Sequence, residues 1–186
     1  KCVLLAPTGR AAKVLSSYAG RPAFTIHKHI YRQRAVGGDG FGQFSLAPNK
    51  DKETLFVVDE VSLIGIDAAQ QQSTAAFGSG NLLEDLIAFV RSGVDCKVIL
   101  IGDSAQLPPV GDDFSPALSP AELLPYADVV YQTMDEVVRQ EQSSGILFNA
   151  TLVRCMLENG IYEIPKLDTS FDDVEAVNGG EFLERL

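Results

Sequence analysis

The stretch Leu55-Phe56-Val57-Val58-Asp59-Glu60-Val61-Ser62 is an apolar run that ends abruptly in two adjacent carboxylates. Burying an unpaired carboxylate is costly. A pair at the end of a buried strand therefore calls for a metal ion or a reacting phosphate just beyond it, where open α/β sheets bind their ligands. A second run, Val98-Ile99-Leu100-Ile101-Gly102-Asp103, ends the same way and continues through Ser104-Ala105-Gln106 into Leu107-Pro108-Pro109-Val110. Two such strands in one chain read as a nucleotide site. No phosphate loop of the G-x-x-x-x-G-K-[ST] type occurs in the 186 residues.

Upstream, Cys2 to Ala6 reads as a short strand ending at Pro7-Thr8-Gly9. A helix over Arg10 to Tyr18 follows, with Ala11, Val14 and Leu15 on one face. Gly20 and Pro22 stop it, and Thr25 caps a second short helix through Tyr31. Residues 35–53, with four glycines between 37 and 42, read as a long exposed loop or an edge hairpin. Residues 65–81 are poor in large apolar side chains and are expected to be mobile, becoming ordered with DNA or ATP. Asn81 caps a helix over Leu82 to Arg91 that Gly93 ends, and the strand at 98–102 comes next. Asp128 to Tyr131 offers a fourth strand, and Gly145 to Asn159 a helix closed by Gly160.

Apolar strands separated by helical stretches imply the α/β class, with a parallel sheet flanked by helices. Thr8, Asp59-Glu60 and Asp103 then share one rim, because each directly follows a strand.

Composition is that of a globular protein, with 46% apolar and 22% charged residues. No apolar run approaches the length that spans a bilayer, which argues against a membrane role. Cys2, Cys96 and Cys155 are three and far apart, fitting reduced thiols and a cytoplasmic location rather than a zinc site or a disulfide framework. The chain begins at Lys1 without signal-peptide architecture and reads as a piece of a longer polypeptide.

Net charge is −10, yet residues 1–38 hold seven Lys or Arg and no acid. The other 148 residues carry eight basic and 25 acidic side chains, a balance of −17. Such asymmetry points to one polyanion-facing surface on an acidic body, or to an ordinary solvated helix face.

In phosphoryl transfer to water, one carboxylate organises Mg²⁺ and a second orients or deprotonates the attacking water. Asp59 and Glu60 suit these two jobs; the alternative is the acid-rich first turn of a helix. A Gln at position 106, held by a rigid turn, could touch a γ-phosphate and report its presence, or Asp103 could simply initiate a turn. Arg139 could stabilise transition-state charge, or pair with Glu136 or Glu141 on the surface. Thr8 sits where a hydroxyl and helix amides could hold a phosphate. His27 and Lys28 could reach a nucleic-acid backbone, and Tyr31 offers a ring for a base.

In order, these segments are Ala6-Pro7-Thr8-Gly9-Arg10-Ala11-Ala12-Lys13, Thr25-Ile26-His27-Lys28, Val57-Val58-Asp59-Glu60-Val61-Ser62, Ile101-Gly102-Asp103-Ser104-Ala105-Gln106 and Glu136-Val137-Val138-Arg139-Gln140. This series resembles motifs Ia, Ib, II, III and IV of RecD-like superfamily 1 DNA helicases, the family of the exodeoxyribonuclease V alpha subunit. The likeness implies a RecA-like P-loop NTPase motor domain over residues 1–160, incomplete at both ends. Residues 161–186, rich in acids from Glu163 on, would be a linker or the start of the next element. The cofactors implied are ATP and Mg²⁺, with Asp59 holding Mg²⁺ through water and Glu60 activating the hydrolytic water. Gln106, Arg139 and Asp103 would serve the nucleotide, and Thr8, Arg10, His27 and Lys28 the DNA. The implied partners are single-stranded DNA, duplex ends and other subunits of a recombination or repair complex.

The expected function is ATP-driven translocation and unwinding by the parent protein, with the isolated residues inactive. Against the pattern, the phosphate loop is missing, the second motor domain's motifs are missing, and Gly111-Asp112-Asp113 is more acidic than a DNA-facing segment should be. The rival reading is a nucleic-acid-binding module of the same fold without ATPase activity. A small-molecule nucleotide enzyme stands further off, since the acid-free segment favours a polyanion.

Overall fold

The computed structural model describes residues 1–33, 43–65, 76–134 and 143–185. They fall into two units, Lys1–Tyr131 and Gln132–Leu186, each described by itself. Arg139 and most of the 65–81 stretch lie outside the described residues.

The first unit runs β1 (Cys2–Ala6), α1 (Gly9–Ala19), β2 (Ala23–Thr25), α2 (Ile26–Ile30), β3 (Tyr31–Gln33), β4 (Gln43–Leu46), β5 (Leu55–Val58), β6 (Ala76–Phe77), α3 (Leu82–Ser92), β7 (Lys97–Leu100) and a short α4 (Pro120–Leu123). Four strands pair as one parallel sheet in the order β2-β1-β5-β7. Parallel strands need crossovers, and the apolar runs are bounded by the helices that supply them.

Strand alternation divides the sheet's side chains between two faces. Val3, Leu5, Phe56 and Val58 join one core with Ile26 and Ile30 of α2 and Leu83 and Leu86 of α3. Leu4 and Ala6, also buried, take the opposite face, and α1 packs against β1 and β2. The two longer helices carry the caps their sequences call for. Thr8 Oγ1 accepts from Ala11 N at 3.2 Å, and Asn81 Oδ1 accepts from Glu84 N at 3.0 Å. Gly20 leaves α1 at φ 62°, the left-handed region that glycine enters without penalty.

A smaller sheet lies beside the first, with β3 antiparallel to β4 and β4 parallel to β6. Of the two readings of residues 35–53, a loop or an edge hairpin, the antiparallel β3–β4 pairing fits the hairpin. Phe44 and Phe77 stack across the smaller sheet with ring centroids 4.5 Å apart. Asp85 of α3 ties it down: Tyr31 donates its hydroxyl to Asp85 Oδ2 at 2.6 Å, and Ser79 donates its backbone N–H to the same oxygen at 3.0 Å. Burial and the Asp85 carboxylate push the Tyr31 hydroxyl well above its ordinary pKa. Asp85→Ala strands the buried Tyr31 hydroxyl and is expected to cost about 1–3 kcal/mol. A denaturant midpoint unchanged by that substitution would refute the tie.

Two sequence expectations are corrected. Asp128 to Tyr131 is not a strand: Val130 is 98% exposed and Tyr131 also faces solvent, so their β-favouring side chains have no sheet to pack on. The fourth strand is Ala23–Thr25 instead, three residues that reach the sheet only because Gly20 turns the chain back alongside β1. The second helix also ends one residue early, at Ile30, and Tyr31 opens β3.

The second unit holds α5 (Gly145–Glu158) and α6 (Gly179–Arg185). Asp173 caps α5, accepting from Ser144 Oγ at 2.6 Å and from the Gly145 N–H at 2.9 Å. The hydroxyl and the amides hold the Asp173 carboxyl below its usual pKa.

Candidate active site

Register brings the chemistry together. Leu5 pairs with Val58 and Val58 with Leu100, so β1, β5 and β7 end at one level. Backbone bonds carry the pairing past the strands: Asp59 N donates to Leu5 O at 3.0 Å, and Val61 N to Ile101 O at 3.0 Å. Thr8, the Asp59-Glu60 pair and the Gly102-Asp103 turn therefore emerge side by side on the carboxyl rim.

At the end of β5 the backbone is strained. Glu60 sits at φ 56°, ψ 36°, a left-handed conformation that costs a residue with a Cβ about 1–2 kcal/mol. Its side chain caps nothing, although a 3-10 turn, Val61–Leu63, begins directly after it. Helix capping thus fails to explain the acid at this position. Strain of this kind gathers at functional sites, where a side chain must face one way. Asp59 Oδ1 accepts the Glu60 N–H at 3.0 Å, which fixes the orientation of the first carboxylate. Both acids are half-buried.

Beside them lies the turn after β7, joined to the segment after Glu60 through Val61 and Ser62. Asp103 Oδ1 accepts from Ala105 N at 2.9 Å and Asp103 O from Gln106 N at 3.1 Å, so Asp103 does build a turn. That turn presents Gln106, whose Oε1 meets Ser62 Oγ at 3.3 Å. Gly102 is needed for closeness: a Cβ there would lie 3.1 Å from Ser62 N and 3.2 Å from Leu118 carbons. Among the described residues no group of three or more His, Cys, Asp or Glu could cage a metal. The mode that fits is the one Mg²⁺ prefers, mostly hydrated and held by one or two carboxylates together with substrate phosphates.

The basic segment divides into two sets. Lys1 pairs with Asp51 at 2.5 Å, Arg21 donates to Cys2 O at 3.3 Å, and Arg32 donates to Tyr31 O at 2.8 Å. Arg10, Lys13 and Lys28 are exposed on α1 and α2 beside Thr8. Lys13 and Lys28 line an open hollow of about 470 Å³ together with Ser16, Phe24 and Thr25. His27 is half-buried against the rings of Tyr31 (5.6 Å) and Phe77 (5.1 Å), and burial lowers its pKa. It enters the surface as a neutral hydrogen-bonding ring. Tyr31 does not offer a platform for a base: it is 4% exposed and its hydroxyl is committed to Asp85.

Sequence reasoning missed Lys13 and Phe24 as members of the basic surface and the buried Ser62 as a contact of Gln106. Lys13 and Ser62 stand inside the quoted motifs, yet only the fold shows what each one touches.

A family model described as an AAA domain matches residues 1–154. The chain belongs to the AAA domain family. Its parallel sheet with flanking helices is the α/β architecture expected of a P-loop NTPase. This AAA domain is also similar to the ATP-dependent RecD2 DNA helicase of Deinococcus radiodurans, 38% identical over 122 residues. The aligned part is 66% of this chain and 14% of that helicase. The match supports the RecD-like resemblance carried by the motifs. No described helix is long and apolar enough to cross a membrane.

Proposed function

We propose that this AAA domain is part of an ATP-dependent DNA helicase, coupling ATP hydrolysis to movement on single-stranded DNA and to opening of duplex ends. The observation that carries the reading is the juxtaposition on one rim of a strained, uncapped Glu60 with Gln106 on the neighbouring turn. Asp59, oriented by its own chain, would hold Mg²⁺ through water, and the ion would supply charge neutralisation at the phosphates. Glu60 takes the proton of the attacking water, and Gln106 and Asp103 serve the γ-phosphate side. The resemblance assigns Arg139 to the same phosphate, and that residue lies outside the described residues. The 186 residues contain no phosphate loop, so the triphosphate cradle comes from another segment of the helicase. Thr8, Arg10, His27 and Lys28 face the DNA strand.

The deciding experiment is ATP hydrolysis by the full helicase polypeptide, with and without single-stranded DNA. Strong stimulation supports the motor. Absence of turnover leaves a nucleic-acid-binding module and sinks the enzyme.

The strand surface has its own check. Lys13→Ala and Lys28→Ala are each expected to weaken single-strand binding evenly across sequences. Each should also flatten the log–log salt dependence by about 0.7, the counterion released per phosphate contact. A slope unchanged in the double variant would remove the hollow from the DNA path.

A further inference from the structure

Ser62 is fully buried, and its hydroxyl has a cost that an alanine in the same space would avoid. Its surroundings show what the hydroxyl is for. Ser62 Oγ lies 3.3 Å from Gln106 Oε1, 44 residues away in the chain. Ser115 donates its hydroxyl to the Ser62 carbonyl at 3.1 Å, and the Ser62 backbone nitrogen lies against Gly102. One residue therefore touches the turn that carries Gln106, the loop behind it, and its own 3-10 turn. That turn starts immediately after Glu60 and is closed by Leu63 N donating to Glu60 O at 3.2 Å and Ile64 N to Val61 O at 3.0 Å.

A glutamine amide has one end that donates and one that accepts, whereas a phosphate oxygen only accepts. Gln106 serves a phosphate only when its NH₂ end faces it, and its Oε1 then needs a donor behind. The Ser62 hydroxyl is in place to be that donor. With the amide flipped, two acceptors would confront each other at the phosphate.

We propose that Ser62 is a positioning residue: the phosphate selects the NH₂ end of the Gln106 amide, and the buried Ser62 hydroxyl, donating to Oε1, steadies the amide in that orientation and links the Gln106 turn mechanically to the Asp59-Glu60 turn. Loss of the phosphate contact at Gln106 is thereby felt at the carboxylate that handles the water. The proposal rests on the reading of this rim as an ATPase site, but its mechanical half does not need ATP.

Two measurements on the full helicase polypeptide separate these layers. Hydrogen exchange without nucleotide should show reciprocity. Ser62→Ala speeds exchange over residues 103–107 and Gln106→Ala speeds it over residues 60–64. Each change is about fivefold, the equilibrium effect of one net hydrogen bond, while residues 23–25 stay unchanged. Steady-state ATP hydrolysis should then show Ser62→Ala lowering kcat about tenfold, the scale of a contact one layer behind the reacting groups. Ser62→Ala combined with Gln106→Ala should be no slower than Gln106→Ala alone, because residues acting as a unit do not add.

Ser62→Cys, a near-isosteric weak donor, should follow the alanine variant and replaces it if that variant does not fold. Exchange that changes only at the mutated turn overturns the linkage. Losses that multiply in the double variant overturn the positioning role and leave Ser62 as packing. Reciprocal exchange in a wild-type polypeptide that does not hydrolyse ATP overturns the ATPase reading, and with it the catalytic half, while the linkage stands.

Discussion

Glu60→Gln is expected, on the function proposed, to lower DNA-stimulated ATP turnover of the full polypeptide by about 10²–10⁴-fold, the usual contribution of a positioned general base. Gln has the shape of Glu and enters the left-handed region at a similar cost, so the backbone at φ 56° has no reason to change. Single-strand binding, which we propose Arg10, Lys13 and Lys28 on other elements carry, should persist. A second substitution separates strain from chemistry. Glu60→Gly removes the Cβ that makes this conformation costly, so it should raise the unfolding midpoint slightly while being as inactive as the Gln variant. Turnover within a few-fold of wild type in Glu60→Gln would show that the water is activated elsewhere. An unfolding midpoint lowered by Glu60→Gly would show that the conformation is held by side-chain contacts and is not strained.

The rim was legible in the sequence because its signals are local. Cys2–Ala6, Leu55–Val58 and Val98–Leu100 are continuous apolar runs, and in a parallel sheet their ends must share one edge. The caps at Thr25 and Asn81 were legible for the same reason, since a hydroxyl or amide side chain three residues before a free helix N–H is a local event; the cap that Thr8 makes to Ala11 N was not read from the sequence. Other features depend on distant partners. Ala23-Phe24-Thr25 has no strand-like periodicity and follows Pro22; it is a strand because β1 offers it an edge. Asp128 to Tyr131 carries better β-formers and finds no edge. Tyr31 looked like a free ring until Asp85, 54 residues on, claimed its hydroxyl. The left-handed Glu60 and the Ser62–Gln106 contact follow from how two turns meet, which no single segment encodes.

Phe56→Ala is expected to be the most damaging single change to stability, costing about 3–5 kcal/mol. Phe56 is fully buried in β5, between Val3 of β1 and Val98 of β7 in register. Its ring meets His29 edge-on at 5.8 Å and Phe89 at 5.9 Å, so one side chain joins the sheet to α2 and α3 at once. Removing it opens a cavity that three separately anchored elements must collapse to fill, and β5 cannot shift without breaking pairing on both sides. Against a usual total of about 5–15 kcal/mol the loss is a large share. The site should fail with it, since Asp59 and Glu60 leave the same strand three residues later.

Phe56→Leu, which keeps most of the volume, should fall well short of that loss. Tyr18→Ala, at a position 89% exposed, should stay within about 0.5 kcal/mol. Chemical denaturation of the three variants gives the ranking. A loss below about 1 kcal/mol for Phe56→Ala, less than truncating a large buried side chain to alanine usually costs, would mean that α2 and α3 are held to the sheet by contacts other than this ring.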